Sequence, residues 1–163
     1  MSMKKGFPLI ELLIVITIIA ILATATFVAL DPLTRFRDSR DSRRWSDVVA
    51  IADAIKLDQT DNGGSFLPAI GAMTIGEVYM IGSDVTGCNG YTCDVTVQSG
   101  THCVNLSGLV TDGYLGAVPV SPNGAGSSWT SGHTGYTLEL ISASTTAVQA
   151  CESENTSQIR ILR

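Results

Sequence analysis

Residues 4–30 read KKGFPLIELLIVITIIAILATATFVAL, two lysines and a glycine followed by an apolar run that carries one charge, Glu11. From Leu12 to Leu30 no residue is charged. As a helix this uncharged part would be roughly 28 Å long at ~1.5 Å per residue, close to the ~30 Å hydrocarbon core of a bilayer. The stretch therefore predicts one membrane-spanning helix at the N-terminus.

Glu11 argues against an ordinary secretory signal peptide. The apolar run is longer than the usual ~7–15 residues of such signals, and its end has no A-x-A-like cleavage site. A carboxylate at bilayer depth costs on the order of 2.5–3.5 kcal/mol at a helix centre and less toward an end. Glu11 therefore needs either a partner or access to the headgroups, and it is the candidate functional residue of this segment.

The segment from Lys4 to Val15 closely resembles the class III signal of type IV prepilins and pseudopilins. These signals have a short basic leader that ends in Gly, then Phe, then Glu at the fifth position of the mature chain. The resemblance implies cleavage between Gly6 and Phe7 by a prepilin peptidase, and N-methylation of Phe7. It also implies that Glu11 pairs with the α-ammonium group of Phe7 in a neighbouring subunit. Docking these two buried charges removes the cost of burying each alone and fixes the axial register.

Pro8 departs from the family pattern, which commonly has Thr at the second mature position. A proline is tolerated in the first helical turn, because the N–H that it lacks would have no intrahelical acceptor there. It also restricts the backbone of Phe7.

Charge is distributed unevenly beyond the apolar run. Residues 31–44 contain five arginines and three aspartates, whereas the chain from Trp45 onward has three basic and eleven acidic residues. An acidic head should repel nucleic acid, so no direct nucleic-acid binding is expected. The arginines oppose the positive-inside rule. We nevertheless expect the N-terminus in the cytoplasm, because the resemblance requires the leader to meet a cytoplasm-facing peptidase.

Asp31 and Pro32 predict a helix break, with aspartate as the N-cap and proline at the first helical position. An amphipathic helix should follow over residues 31–62. Arginine and aspartate recur at same-face helical spacing as the pairs Arg35–Asp38, Arg37–Asp41 and Arg43–Asp47. Apolar residues that should be buried against a sheet recur as Trp45, Val48, Val49, Ala52 and Ile55.

Beyond Asn62-Gly63-Gly64 the chain changes to short β patterns. Apolar and polar residues alternate over 91–97, which predicts a half-buried strand. Further strands are predicted at 77–81, 136–141, 146–151 and 158–162. The predicted fold is α+β, with a long N-terminal helix, transmembrane and then amphipathic, packed on a small antiparallel sheet, as in the type IV pilin fold. The divisions are a leader at 1–6, a transmembrane or filament-core helix at 7–30, the amphipathic helix at 31–62 and a β-rich head at 63–163.

Four cysteines, Cys88, Cys93, Cys103 and Cys151, all lie downstream of the predicted membrane segment. An even number in this position predicts an exported, oxidised domain with disulfides, and no spacing is as short as the CxxC pairs of zinc sites. Three pairings are possible. We favour Cys88 with Cys93, which closes the loop CNGYTC, and Cys103 with Cys151, which ties the middle of the sheet to the C-terminal region.

The sequence contains no catalytic constellation. His102 and His133 lie in Gly- and Ser-rich surroundings outside any ligand-spaced cluster, and there is no P-loop, G-x-S-x-G or G-x-G-x-x-G motif. In the type II secretion major pseudopilin an acidic loop binds calcium, but the corresponding loop here, NGAGSSWTSGHTG, has no carboxylate. We expect neither a metal nor another cofactor.

The resemblance thus favours a non-enzymatic precursor that polymerises into an extracellular type IV pilus. The implied partners are further copies in a helical filament, the prepilin peptidase, and the assembly ATPase with its platform protein. The precursor would first span the cytoplasmic membrane once, and the assembled pilus would lie on the cell surface. Two alternatives remain open, a pseudopilin of a type II secretion system and a membrane-tethered adhesin or binding domain that never polymerises.

Overall fold

A computed structural model describes residues 8–97, 103–124 and 128–163, and the chain divides into two compact units, Met1–Phe36 and Arg37–Arg163. The helices are α1 (Leu9–Leu30), α2 (Pro32–Asp61), α3 (Pro68–Gly71) and α4 (Ser107–Thr111), with one 3₁₀ turn at Cys88–Gly90. The strands are β1 (Val78–Met80), β2 (Tyr136–Ser142), β3 (Thr145–Ala150) and β4 (Arg160–Leu162). The α+β architecture that the sequence predicts is confirmed.

A single residue, Asp31, separates α1 from α2. It has φ 37°, the one left-handed non-glycine backbone among the described residues. The Thr34 hydroxyl donates to the Asp31 carboxylate at 2.6 Å, which anchors the first turn of α2. Pro32 begins that turn and has no N–H in need of an acceptor.

The four strands form one antiparallel sheet in the order β1-β2-β3-β4. Leu138 is the central register point, since it lies opposite Tyr79 on one side and opposite Val148 on the other. Val148 in turn faces Ile161 of β4. These strands match the predicted segments at 77–81, 136–141, 146–151 and 158–162, with ends that differ by at most two residues.

The predicted strand at 91–97 is wrong, because this segment has no regular secondary structure. The Asp94 N–H donates to the carbonyl oxygen of Cys151 at 2.6 Å, and Cys93 forms a disulfide with the same residue. The segment is therefore fixed by a crosslink and isolated hydrogen bonds instead of by a strand ladder, which alternation alone cannot reveal.

The main core lies between α2 and the sheet. Val48, Ile51 and Ile55 of α2 are at most 1% exposed and belong to one buried cluster with Leu138 and Val148. Full burial of such side chains stabilises the fold by roughly 1.5–3 kcal/mol each.

The predicted buried face of α2 is partly wrong. Val48, Ala52 and Ile55 are buried, but Trp45 is 38% exposed and Val49 is only half-buried. The face is centred on Arg44, Val48, Ile51 and Ile55 at three- and four-residue spacing, and Trp45 projects about 100° away from that line.

All four cysteines form disulfides, but the favoured pairing is wrong. The pairs are Cys88–Cys103 and Cys93–Cys151. Cys103 lies beside the turn that precedes Cys88, because its N–H donates to the carbonyl oxygen of Asp84 at 2.9 Å. In the chain-entropy model, sequence separations of 15 and 58 residues correspond to about 3 and about 4 kcal/mol of stabilisation.

The two disulfides interleave, and their cysteines supply three of the six buried members of a second, smaller core. Its buried members are Met80, Cys88, Val97, Cys103, Trp129 and Cys151. The crosslinks thus hold together a part of the head in which the described backbone is mostly irregular.

Candidate functional site

α1 exposes apolar surface all round its axis. Its large apolar side chains range from 45% exposed at Val15 to 82% exposed at Leu9, and none of its residues is buried. Its 22 residues correspond to about 33 Å of helix. Within the described residues, the one stretch long and apolar enough to cross a membrane lies in Leu9–Asp61, where an 18-residue window has a mean hydropathy of 2.8. A helix of this kind needs apolar surroundings from a bilayer or from other helices.

Most polar side chains of α1 are satisfied within the helix. The hydroxyls of Thr17, Thr24 and Thr26 donate to carbonyl oxygens three or four residues earlier, at 2.7–3.1 Å. Glu11 differs, because no described residue donates a hydrogen bond to its exposed carboxylate. In apolar surroundings this single carboxylate needs either access to the headgroups or a partner from outside the described part of its own chain.

The first turn of α1 is defined by Pro8. This residue is the N-cap, with φ −64° and ψ 127°, and its side chain makes no capping hydrogen bond. The Glu11 N–H donates to the Pro8 carbonyl oxygen at 3.0 Å. The predicted cleavage and methylation residues, Gly6 and Phe7, lie outside the described residues, as does His102.

The apolar helix α1 and its acidic residue lie largely within a segment that matches a known family model. A family model for the prokaryotic N-terminal methylation motif matches residues 1–27. The chain begins with the class III signal of type IV pilins and pseudopilins. The match includes Gly6, Phe7 and Glu11 and extends along α1 to Phe27. No curated protein and no solved structure matches the chain.

The methylation motif supports a type IV pilin-like or pseudopilin precursor. Such signals belong to structural subunits and imply processing by a prepilin peptidase and contact with an assembly machinery. The signal and the exposed apolar α1 together fit a precursor anchored in a membrane.

In the head, a buried ion network joins α2 to the loop after β3. We call Arg40, Asp41, Arg44 and Glu154 the clasp. Arg44 is 0% exposed, and its Nη1 donates to Asp41 at 2.8 Å and to Glu154 at 2.9 Å. Arg40 donates to both carboxylate oxygens of Glu154. Because each charge has an opposite charge in contact, the network avoids the cost of a lone buried ion.

The backbone of the C-terminal loop closes the clasp. Asp41 accepts the N–H groups of Glu154, Asn155 and Thr156 at 2.8–3.3 Å. Burial alone would raise the pKa of Asp41, but these backbone donors and Arg44 hold it below its ordinary value. The hydrogen bond from Arg40 lowers the pKa of Glu154 to about 2 against the opposing effect of burial, and Arg44 adds to this lowering.

Sequence reasoning missed the clasp. Of the predicted helix pairs, Arg43–Asp47 is present at 3.8 Å. The predicted Arg37–Asp41 pair is wrong, because Asp41 pairs with Arg44. Asp38 accepts a hydrogen bond from Asn155 at 2.7 Å, so its described partner also comes from the loop. The sequence contained one indication of the clasp. Arg44 lies one helical turn before Val48, on the helix face that also carries Ile51 and Ile55.

The clasp predicts a loss of stability in acid. The folded pKa of Glu154, about 2, lies below its ordinary value of 4.5. Its contribution is therefore complete above pH 4.5 and is lost as the pH falls toward 2, by on the order of 3 kcal/mol. Denaturant unfolding in micelles between pH 7 and pH 2.5 measures this loss. Glu154→Gln should have a flatter pH dependence than the wild type, and an identical slope in both proteins would contradict the assignment.

The remaining histidine of the described chain lies elsewhere in the head. The Nδ1 atom of His133 lies 2.7 Å from Asp84 Oδ2, and its ring stacks on Tyr91 at 4.2 Å between centroids. Among residues 8–97, 103–124 and 128–163, no group of three or more His, Cys, Asp or Glu side chains is arranged to hold a metal ion.

Proposed function

We propose that this chain is a structural subunit of an extracellular type IV pilus. After removal of residues 1–6, α1 leaves the membrane and packs with the α1 helices of other copies in the core of a helical filament. One observation supports this proposal above the others. The segment that carries the class III signal forms a helix that is apolar all round and presents a single carboxylate, Glu11, to the outside.

In this proposal Glu11 pairs with the methylated α-ammonium group of Phe7 in a neighbouring copy. Moving α1 from lipid to a helix bundle gains little from the hydrophobic effect, because lipid tails are as apolar as leucine. Packing of side chains holds the bundle together, and the charge pair selects the axial register. At ~4 Å and an effective dielectric constant of ~20 the pair is worth about 4 kcal/mol before desolvation.

The head supports an extracellular location. Disulfides persist in oxidising compartments, and both crosslinks of the head join residues that are distant in sequence. The clasp adds a buried connection between α2 and the C-terminal loop. A subunit exposed to shear gains from a head whose irregular segments are tied down in this way.

A pseudopilin of a type II secretion system is the second candidate, because it would use the same signal and the same α1. The two candidates differ in the location of the polymer and in the process that requires the subunit. Loss of a pseudopilin stops the secretion of exported proteins, whereas loss of a pilus subunit removes surface filaments.

Mass spectrometry of sheared surface filaments tests the proposal. We expect this chain to be abundant in the sheared fraction and to begin with N-methylated Phe7. The control is Gly6→Val, which should block cleavage and leave the precursor in the membrane fraction. A processed chain that stays in the membrane would indicate a tethered domain, and a secretion defect without surface filaments would indicate a pseudopilin.

A further inference from the structure

Two arginines near the start of α2 do not have the partners that helical spacing assigns to them. Spacing pairs Arg35 with Asp38 and Arg37 with Asp41. Asp38 instead accepts a hydrogen bond from Asn155 at 2.7 Å, and Asp41 belongs to the clasp. Both arginines are exposed, and neither side chain makes a hydrogen bond or an ion pair with a described residue. Their guanidinium groups are therefore available to an anion from outside the described chain.

Both arginines lie close to the apolar run along the chain. At ~1.5 Å per helical residue, Arg35 rises at most about 8 Å and Arg37 at most about 11 Å beyond Leu30, the last residue of α1. The headgroup layer on each side of a bilayer core is about 5–8 Å thick. A long arginine side chain can also extend back toward that layer. When α1 spans a bilayer, both guanidinium groups can therefore reach the lipid phosphates.

The two guanidinium groups leave α2 on different sides. Residues two positions apart on a helix are separated by about 200° and do not face each other. A protein partner that docks on one face of α2 would meet Arg35 or Arg37, whereas headgroups surround a spanning helix on all sides. Leu33 and Phe36 are also exposed, by 68% and 63%, and apolar side chains of this kind suit the lower part of the headgroup layer. The arrangement favours a lipid surface over a second copy of the chain.

We propose that Arg35 and Arg37 bind the phosphate groups of anionic phospholipids beside the end of α1. A guanidinium group binds phosphate through paired N–H donors and stays charged throughout the physiological pH range. The inference requires the membrane anchor alone, so it does not depend on polymerisation. With the N-terminus in the cytoplasm, these arginines meet the outer leaflet, which gives them a use on the side where the positive-inside rule disfavours them.

Native mass spectrometry of the full-length precursor tests this binding. The protein is released from detergent micelles that contain equal amounts of phosphatidylglycerol and phosphatidylcholine, and the ratio of the two lipid adducts is measured. The Arg35→Gln, Arg37→Gln double variant should lower this ratio at least fivefold, because each arginine near an anionic surface favours anionic lipid by about fivefold. The leader lysines are present in both proteins, so their contribution cancels. An unchanged ratio would overturn the proposal.

Arg43→Gln is the matched control. The Arg43 side chain is 66% exposed, but it lies up to about 20 Å of helix beyond Leu30, outside the headgroup layer. This variant should keep the lipid ratio of the wild type. The Arg35→Lys, Arg37→Lys double variant preserves both charges and should keep most of the preference for phosphatidylglycerol. An equal fall in the ratio for Arg43→Gln would indicate a general charge effect and would contradict the assignment to Arg35 and Arg37.

Two further outcomes would identify a different occupant and also overturn the proposal. Adducts of water-soluble glycerophosphate, as abundant as those of phosphatidylglycerol at the same concentration, would indicate a site for soluble anions. An unchanged lipid ratio together with at least tenfold fewer sheared filaments from the Arg35→Gln, Arg37→Gln variant would indicate that these arginines contact a second copy of the chain.

Discussion

Glu11→Gln should reduce sheared filaments at least 100-fold, while the precursor is still made and inserted. Glutamine has nearly the same size as glutamate but cannot neutralise an ammonium group. Breaking a buried pair by removing one partner costs roughly 3–5 kcal/mol, and every 1.4 kcal/mol is a factor of ten in an equilibrium. Immunoblots of sheared and membrane fractions, with intact mass of the membrane-bound chain, measure assembly and cleavage separately.

Two control variants separate charge from other effects of the substitution at Glu11. Glu11→Asp keeps the charge on a side chain that is one methylene shorter, so it should assemble partly. Glu77→Gln makes the same chemical change in the head, where Glu77 is half-buried beside the Tyr79 hydroxyl, and should assemble normally. Normal numbers of filaments from Glu11→Gln would remove the basis of the proposed assembly. An uncleaved Glu11→Gln precursor would place the need for this charge at the peptidase instead.

The features predicted correctly from sequence depend on local patterns. The membrane-length run, the helical recurrence of Val48, Ala52 and Ile55, and the β patterns near Leu138 and Val148 each follow from residues close together in the chain. Periodicity fixes which side of such an element is apolar, and burial then follows from packing. The amphipathic helix and the four strands of the sheet could therefore be predicted from the sequence alone.

The features that sequence reasoning missed depend on contacts between residues that are far apart in the chain. Cys103 lies near Cys88 because the chain returns to the end of β1 at Val104. The Val104 N–H donates to the Met80 carbonyl oxygen at 2.8 Å. Neither cysteine spacing nor alternation over 91–97 contains that information. Arg44 and Glu154 are 110 positions apart, and sequence patterns give no reason to associate them. A charged residue on the buried line of a helix was the one local indication.

Arg44→Met should destabilise the head by about 3–5 kcal/mol. Arg44 is fully buried, and its removal leaves the carboxylates of Asp41 and Glu154 with fewer donors in a site closed to water. Methionine fills a similar volume, so the loss reports charge and hydrogen bonding more than a cavity. Guanidinium unfolding of the full chain in micelles, followed by tryptophan fluorescence, measures the change, since Trp129 is buried and bonded to Glu152 at 2.5 Å.

Arg43→Met is the matched control, because the neighbouring side chain is 66% exposed and pairs with Asp47 only at 3.8 Å. Exposed pairs of this kind contribute roughly 0–1 kcal/mol, so this variant should unfold close to the wild type. Equal destabilisation by the Arg43 and Arg44 variants would show that the clasp does not hold the C-terminal loop to α2.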